Sequence, residues 1–212
     1  MCARFVFTNG RVVQDEIGGI QLPNLEPDWN IAPTDLAVTL RLAAQGTIAE
    51  VKRWGLSADR PAQTINARAE TAAEKASFSE ALHRRPTVIP ADGFYEWSTE
   101  AGRKQPHFIH PGDGRVFWFA GLWTEDRFTI LTVPASSEIA WLHDRMPAIL
   151  PRDCLDLWLD SAAPIDARQA LLQPAPEGTL QFRRVSREVN RSSAAGPQLI
   201  LEEPQTQGAF DF

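Results

Sequence analysis

The feature that most constrains this chain is a succession of short apolar runs, each closed by a turn signal after a few residues. Residues 4–7 end in Thr8-Asn9-Gly10, and residues 36–42 and 48–54 are joined around Gln45-Gly46. Runs at 87–90, 94–97, 107–110, 115–123 and 128–133 follow, separated by Ala91-Asp92-Gly93, Pro111-Gly112-Asp113-Gly114 and the weaker Glu125-Asp126. Such runs read as strands bounded by turn residues. Parallel neighbours need long crossovers that these spacings do not provide, so antiparallel pairing is expected. Three segments read as helical. Residues 69–83 are rich in Ala and Glu, with Phe78 and Leu82 at i, i+4 on one face; Ser136-Ser137 can cap a short helix carrying Ile139, Trp141 and Leu142. Pro151 opens a third, with Leu155, Trp158 and Leu159 on its apolar side. The expectation is an α+β fold: a single domain over residues 1–200 with a mainly antiparallel, barrel-like β core and a few flanking helices. Residues 201–212 are expected to form a flexible tail.

A chain of 212 residues can bury such a core without covalent staples. Its apolar runs fall short of the roughly 20 residues that span a bilayer, so no membrane partner is expected. The start Met1-Cys2-Ala3-Arg4-Phe5 lacks the basic and apolar regions of a signal peptide, and two cysteines do not make a disulfide framework, so the reading is cytoplasmic. The net charge of −6 argues mildly against bulk attraction to nucleic acid, but a local patch decides binding. All but Lys52, Lys75 and Lys104 of the 21 basic residues are Arg, the side chain suited to bidentate phosphate contacts.

Cys2 carries the sharpest chemical signal. Aminopeptidases remove an initiator Met that precedes a small residue. Cys2 would then present an α-amine of pKa about 7.7–8.0 and a thiol of about 8.5, held two carbons apart. That spacing traps aldehydes: the amine forms a Schiff base and sulfur closes a five-membered thiazolidine, with the effective molarity of a prepositioned reactant. Four further segments supply polar groups. They are Trp29-Asn30-Ile31-Ala32-Pro33-Thr34, a loop entering a strand; Ile65-Asn66-Ala67-Arg68-Ala69-Glu70-Thr71, ahead of a helix; Ile89-Pro90-Ala91-Asp92-Gly93-Phe94-Tyr95-Glu96-Trp97; and Leu142-His143-Asp144-Arg145-Met146-Pro147. Read singly, Asn66 is a helix cap, Glu96 a solvated strand position and His143 a satisfied core residue.

Taken in order with the Cys2 segment, these runs resemble the SOS-response-associated peptidase (SRAP) family from residue 1 to about 150, and more weakly to Pro197. The resemblance implies a β-rich domain without metal or other cofactor, and a basic channel for single-stranded DNA. It also implies covalent capture of abasic sites by the N-terminal cysteine. By motif, the resemblance makes Cys2 the nucleophile and Asn66 a hydrogen-bond partner of the Cys2 amine or the sugar. It makes Glu96 a proton shuttle and His143 the group that helps open the deoxyribose. A carboxylate among aromatic residues could have a raised pKa suited to such work, although strand alternation sends Tyr95 and Trp97 to the face opposite Glu96 and leaves only Phe94 beside it. The implied DNA contacts are Arg4, Arg68, Arg84, Arg85 and Thr132, with Trp54 or Trp29 stacking on bases.

Three departures stand out: Ala3 replaces the family's Gly, the run after Trp54 (Gly55-Leu56-Ser57-Ala58-Asp59) is shortened and lacks a second Trp, and the segment past Asn190 matches poorly. Two other readings stay open. One is an N-terminal cysteine hydrolase acting on an amide with the same Cys2, Glu96 and His143; the other is a non-catalytic DNA-binding module. A zinc site is disfavoured, because His107 and His110, three apart in a strand, face opposite sides. A monomer is expected, and the tail from Gln207 to Phe212 faintly resembles peptides that bind the bacterial sliding clamp of the replication machinery.

Overall fold

In the computed structural model, which describes residues 2–203, twelve strands form two sheets. The first sheet is antiparallel throughout, in the order β12 (Leu180–Arg184), β8 (Arg103–Pro111), β7 (Gly93–Glu100), β1 (Phe5–Phe7) and β2 (Asp28–Ile31). The second runs β11 (Arg145–Pro147), β10 (Arg127–Pro134), β4 (Gly46–Trp54), β3 (Leu36–Ala43), β6 (Pro86–Ala91) and β9 (Phe117–Thr124). Because β9 also pairs with β10, this sheet closes into a ring, as the close-spaced runs lead one to expect. One join in the ring is parallel and short, Arg127 and Phe128 of β10 beside Arg53 and Trp54 of β4. Along the same edge of β10 the chain returns as β5 (Asn66–Arg68), also parallel, after an excursion over residues 55–65.

Strand alternation builds two cores from the first sheet. Phe5, Phe94 and Ile109 point into the main core, which fills the ring with Trp54, Phe119, Phe128 and Ile130. Val6, Tyr95 and Phe108 point the other way and are covered by Val185, Val189, Ala194 and Leu199. Polar ties lock that cover down: Asn30 Nδ2 donates to the carbonyls of Arg191 and Ala194 at 3.1 and 2.9 Å. Residues 201–203, assigned with the tail on sequence, join it too, since Glu202 bridges Val185 and Glu203 accepts from Arg184 Nε at 3.2 Å. The clamp-like run at 207–212 lies outside the described residues.

The helices differ most from expectation. Residues 69–83 do not form one helix: a single 3-10 turn at Ala69–Thr71 is followed by turns and then α2 (Ser79–Arg84). Phe78 and Leu82 are both buried as the i, i+4 pattern requires, but the residues before them form turns. Ser136 caps no helix; residues 137–142 make successive turns, with the amides of Ile139 and Ala140 on the Ser136 carbonyl. The third helix, α3 (Leu155–Leu159), forms as read and buries Leu155, Trp158 and Leu159. Two short helices carry little sequence signal, α1 (Gly10–Ile17) directly after the first strand and α4 (Ile165–Gln169). Among the described residues, no helix is long and apolar enough to cross a membrane.

Candidate active site

Four strands bring the proposed chemical groups together. β1 pairs antiparallel with β7, Phe5 opposite Phe94, and the Tyr95 amide donates to the Arg4 carbonyl at 3.0 Å. Continued backwards, that register lays the chain start along Glu96. From the other side, the pairing of β5 with β10 sets Asn66 so that its Nδ2 donates to the Cys2 carbonyl at 2.7 Å. Asn66 Oδ1 is buried without a hydrogen-bond partner among the described residues. The fourth group, His143, ends the turns that connect β10 to β11.

A cavity of about 570 Å³ opens here, lined by Glu96, Trp97, Lys104, His143 and Asn190. Cys2 is fully buried, its thiol directed at the Arg4 carbonyl at 3.6 Å. Burial pushes this thiol well above its ordinary range, and the nearby Glu96 carboxylate adds to the shift, so the sulfur is held protonated. Glu96 is itself 4% exposed, and burial raises its pKa, while His143 works in the opposite direction. A carboxyl group whose pKa is raised by burial holds a proton that it can give up and take back during a reaction. His143 Nδ1 lies 3.0 Å from the Arg145 amide and 2.8 Å from Asp144 Oδ1. The Arg145 amide is aligned to donate to Nδ1, whereas a ring carrying a proton on Nδ1 donates it to the exposed Asp144 carboxylate instead.

The strand alternation read from sequence holds for Phe94, on the Cys2 side of the sheet, and Tyr95, in the opposite core, but Trp97 lines the same cavity as Glu96. The DNA contacts divide. Arg68 and Arg84 are exposed. Arg4 is half-buried and its Nη1 donates to Asn30 Oδ1 at 2.8 Å and the Val189 carbonyl at 3.2 Å, tying the start of β1 to the C-terminal cover. Arg85 pairs with Glu80 at 3.3 Å and lies over the Trp123 ring, where Arg41 and Lys52 also gather. Trp123 faces Phe128 on β10, two residues before the Ile130 that pairs with Asn66.

Two assignments are corrected. Trp54 is fully buried between Phe5 and Phe128, and its Nε1 donates to the Ile65 carbonyl at 2.7 Å; it anchors the residue before Asn66 and presents no face for a base. Thr132 is also fully buried, its hydroxyl accepting from Arg145 Nη2 at 3.3 Å, so it supports Arg145 and has no surface for DNA. Trp29 packs on the second core, away from Cys2. Ala3 does not have positive φ, so its methyl group adds no left-handed strain.

Sequence reading passed over Arg145 and Glu70, although both stand inside quoted motifs. Arg145 is 9% exposed and forms a two-pronged ion pair with Glu70 at 2.6 and 2.9 Å, holding β11 to the turn that follows β5. The Arg145 hydrogen bonds hold the Glu70 carboxylate below its usual range. The signal was an acidic residue four positions after Asn66 and a basic one two after His143, but their pairing across 75 residues is visible only in three dimensions. Among the described residues, no cluster of three or more His, Cys, Asp or Glu is placed to hold a metal.

The fold and the site together define an α+β protein whose ring-closed sheet gathers a cysteine, an amide, a buried carboxyl and a histidine. The chain belongs to the SOS response associated peptidase family, whose sequence profile matches residues 1–192. Among relatives, YoqW of Bacillus subtilis, an abasic site processing protein, is 33% identical over 94% of this chain and 99% of its own length. The abasic site processing protein YMR114C of Saccharomyces cerevisiae is 30% identical over 81% of this chain, which spans 52% of the yeast protein's length. A crystal structure of a Bacteroides thetaiotaomicron protein superposes with a TM-score of 0.81 at 20% identity, over 95% of this chain and all of the other; that likeness is one of fold.

Proposed function

We propose that this protein processes abasic sites in DNA by capturing them covalently in single strands through Cys2. The observation that carries this reading is the hydrogen bond from Asn66 Nδ2 to the Cys2 carbonyl, made while the side-chain oxygen Oδ1, buried and unpartnered among the described residues, is available to an amine. The names of YoqW and YMR114C point the same way.

Once Met1 is removed, Asn66 Oδ1 orients the Cys2 amine. His143 donates from Nε2 to the deoxyribose ring oxygen as the sugar opens to its aldehyde. The amine adds to the carbonyl carbon, and Glu96 supplies the proton with which the carbinolamine leaves as water, giving an imine. The thiol then adds to the imine carbon: the S–C bond forms and the thiol proton moves to nitrogen, by way of the Glu96 carboxylate. The product is a thiazolidine, and one water is lost overall. No step requires a thiolate at rest, which suits a buried, protonated sulfur. An amide hydrolase opening with thiolate attack would work against the same burial, and this favours aldehyde capture over peptidase chemistry.

The test is the intact mass of the protein before and after mixing with single-stranded DNA carrying one abasic site. The expected result is a species lacking Met1, and then its heat-stable sum with the oligonucleotide less one water, which is lost in Cys2→Ala. Processed wild-type protein that gains no mass would end this proposal.

A further inference from the structure

Trp141 is 58% exposed, the most exposed tryptophan among the large apolar residues left at the surface. It lies in the turns between β10 and β11, two residues before His143. Its ring meets His107 edge to face, with centroids 5.1 Å apart at 90°, and leans on Phe182 at 6.0 Å and 55°. Neither neighbour lies parallel to the indole, so among the described residues no protein ring occupies the place of a stacked partner. Both neighbours sit on the first sheet, and His107 is fixed in turn by Ser98 Oγ at 3.0 Å from its Nε2. The exposed ring is therefore held in position before any ligand arrives, which lowers the entropy lost on binding.

His107 is the cross-strand partner of Glu96, and directly opposed residues share a face of the sheet about 5 Å apart. Trp141, resting on His107, thus stands beside the cavity of Glu96 and His143. Of the two tryptophans expected to stack from sequence, Trp54 is fully buried and Trp29 packs, half-buried, against the second core.

We propose that Trp141 is a base-stacking platform: the nucleobase next to the abasic site lies on its open face while the baseless sugar enters the cavity. This rests on the function proposed above and adds a second point of recognition, one that needs a base where the first needs none. Aromatic platforms of this kind accept any base, so the platform would favour a lesion with an intact neighbour and be indifferent to which base that is.

The test measures binding by fluorescence anisotropy with two single-stranded oligonucleotides carrying tetrahydrofuran, an abasic analogue that cannot open to an aldehyde. In one the analogue has intact bases on both sides; in the other both flanking positions are tetrahydrofuran as well. Trp141→Ala should weaken binding of the first by roughly 5- to 100-fold and leave the second unchanged, with Trp141→Phe retaining most of the affinity. Equal loss on both oligonucleotides, no loss on either, or no wild-type binding to either would overturn the platform, and with it any reading of Trp141 beyond a cover for His107 or a protein contact. Covalent capture is scored separately, by intact mass of the wild-type protein with true abasic DNA. A wild-type protein that shows base-dependent binding and forms no adduct would sink the capture chemistry and leave the platform standing.

Discussion

The amine and the thiol of Cys2 can be separated by a single atom. Cys2→Ser retains a small second residue and an N-terminal amine but carries a poorer nucleophile. It is expected to lose the heat-stable adduct while still giving a borohydride-dependent one, and trapping assays with and without reductant would show whether the amine acts first. Glu96→Gln removes the proton carrier and should slow capture by roughly 100-fold or more in single-turnover kinetics, with little change in binding. The same carboxyl group has a stability signature. Burial, opposed by His143, raises its folded pKa above the unfolded value. The folded state then holds its proton more tightly, so the contribution of Glu96 to stability is fully present below about pH 4 and is lost as pH rises through the folded pKa. Glu96→Gln should therefore melt at a higher temperature than wild type at pH 7–8, the gap closing as pH falls toward 4; thermal scans across that range check it. Glu96 lies in a legible motif, but its burial beside Cys2 does not follow from the motif alone.

At the scale of elements, the site depends on how closely two strands approach. Gly93 opens β7 with no room for a side chain: an added Cβ would lie 2.4 Å from the Ile109 carbonyl oxygen and 2.6 Å from the Phe108 ring. Gly93→Ala should push β7 off β8, cost about 1–3 kcal/mol in urea unfolding and displace Glu96 enough to slow capture. The ion pair between Arg145 and Glu70 is the tie between β11 and the turn after β5. Removing Glu70 leaves a buried guanidinium with fewer acceptors, but Glu70 is 46% exposed and water can replace part of it. Glu70→Ala is expected to cost about 1–2 kcal/mol, less than a fully buried pair, as read from urea denaturation. The strands of the ring were legible from turn spacing because antiparallel hairpins are local. The start of the segment 69–83 continues directly from β5, which pairs with distant β10, and Glu70 is held by Arg145, contacts that helical composition does not encode.

Over the whole molecule, the first sheet is buried on both faces, and one of its covers comes from residues 185–200. A chain ended at Val185 would expose Val6, Tyr95 and Phe108 and free Arg4 and Asn30 from their carbonyl partners. Such a truncation should lose cooperative unfolding and bind a hydrophobic dye, by calorimetry and fluorescence. This cover, where resemblance to the family was weakest, therefore braces the strand that carries Cys2. What the sequence alone determined is local: the hairpins of the ring, the alternation that sets Phe94 apart from Tyr95, the aminothiol latent in Met1-Cys2, and the motifs holding Asn66, Glu96 and His143. Each depends on spacing of a few residues or on covalent geometry, and such information is complete within a short stretch of chain. The tertiary structure alone decided which aromatic residues face water, which arginines are already committed to protein partners, and that Cys2 is buried with its thiol protonated. Those depend on packing between segments up to 185 residues apart, as in the contact of Arg4 with Val189, and no local pattern encodes them.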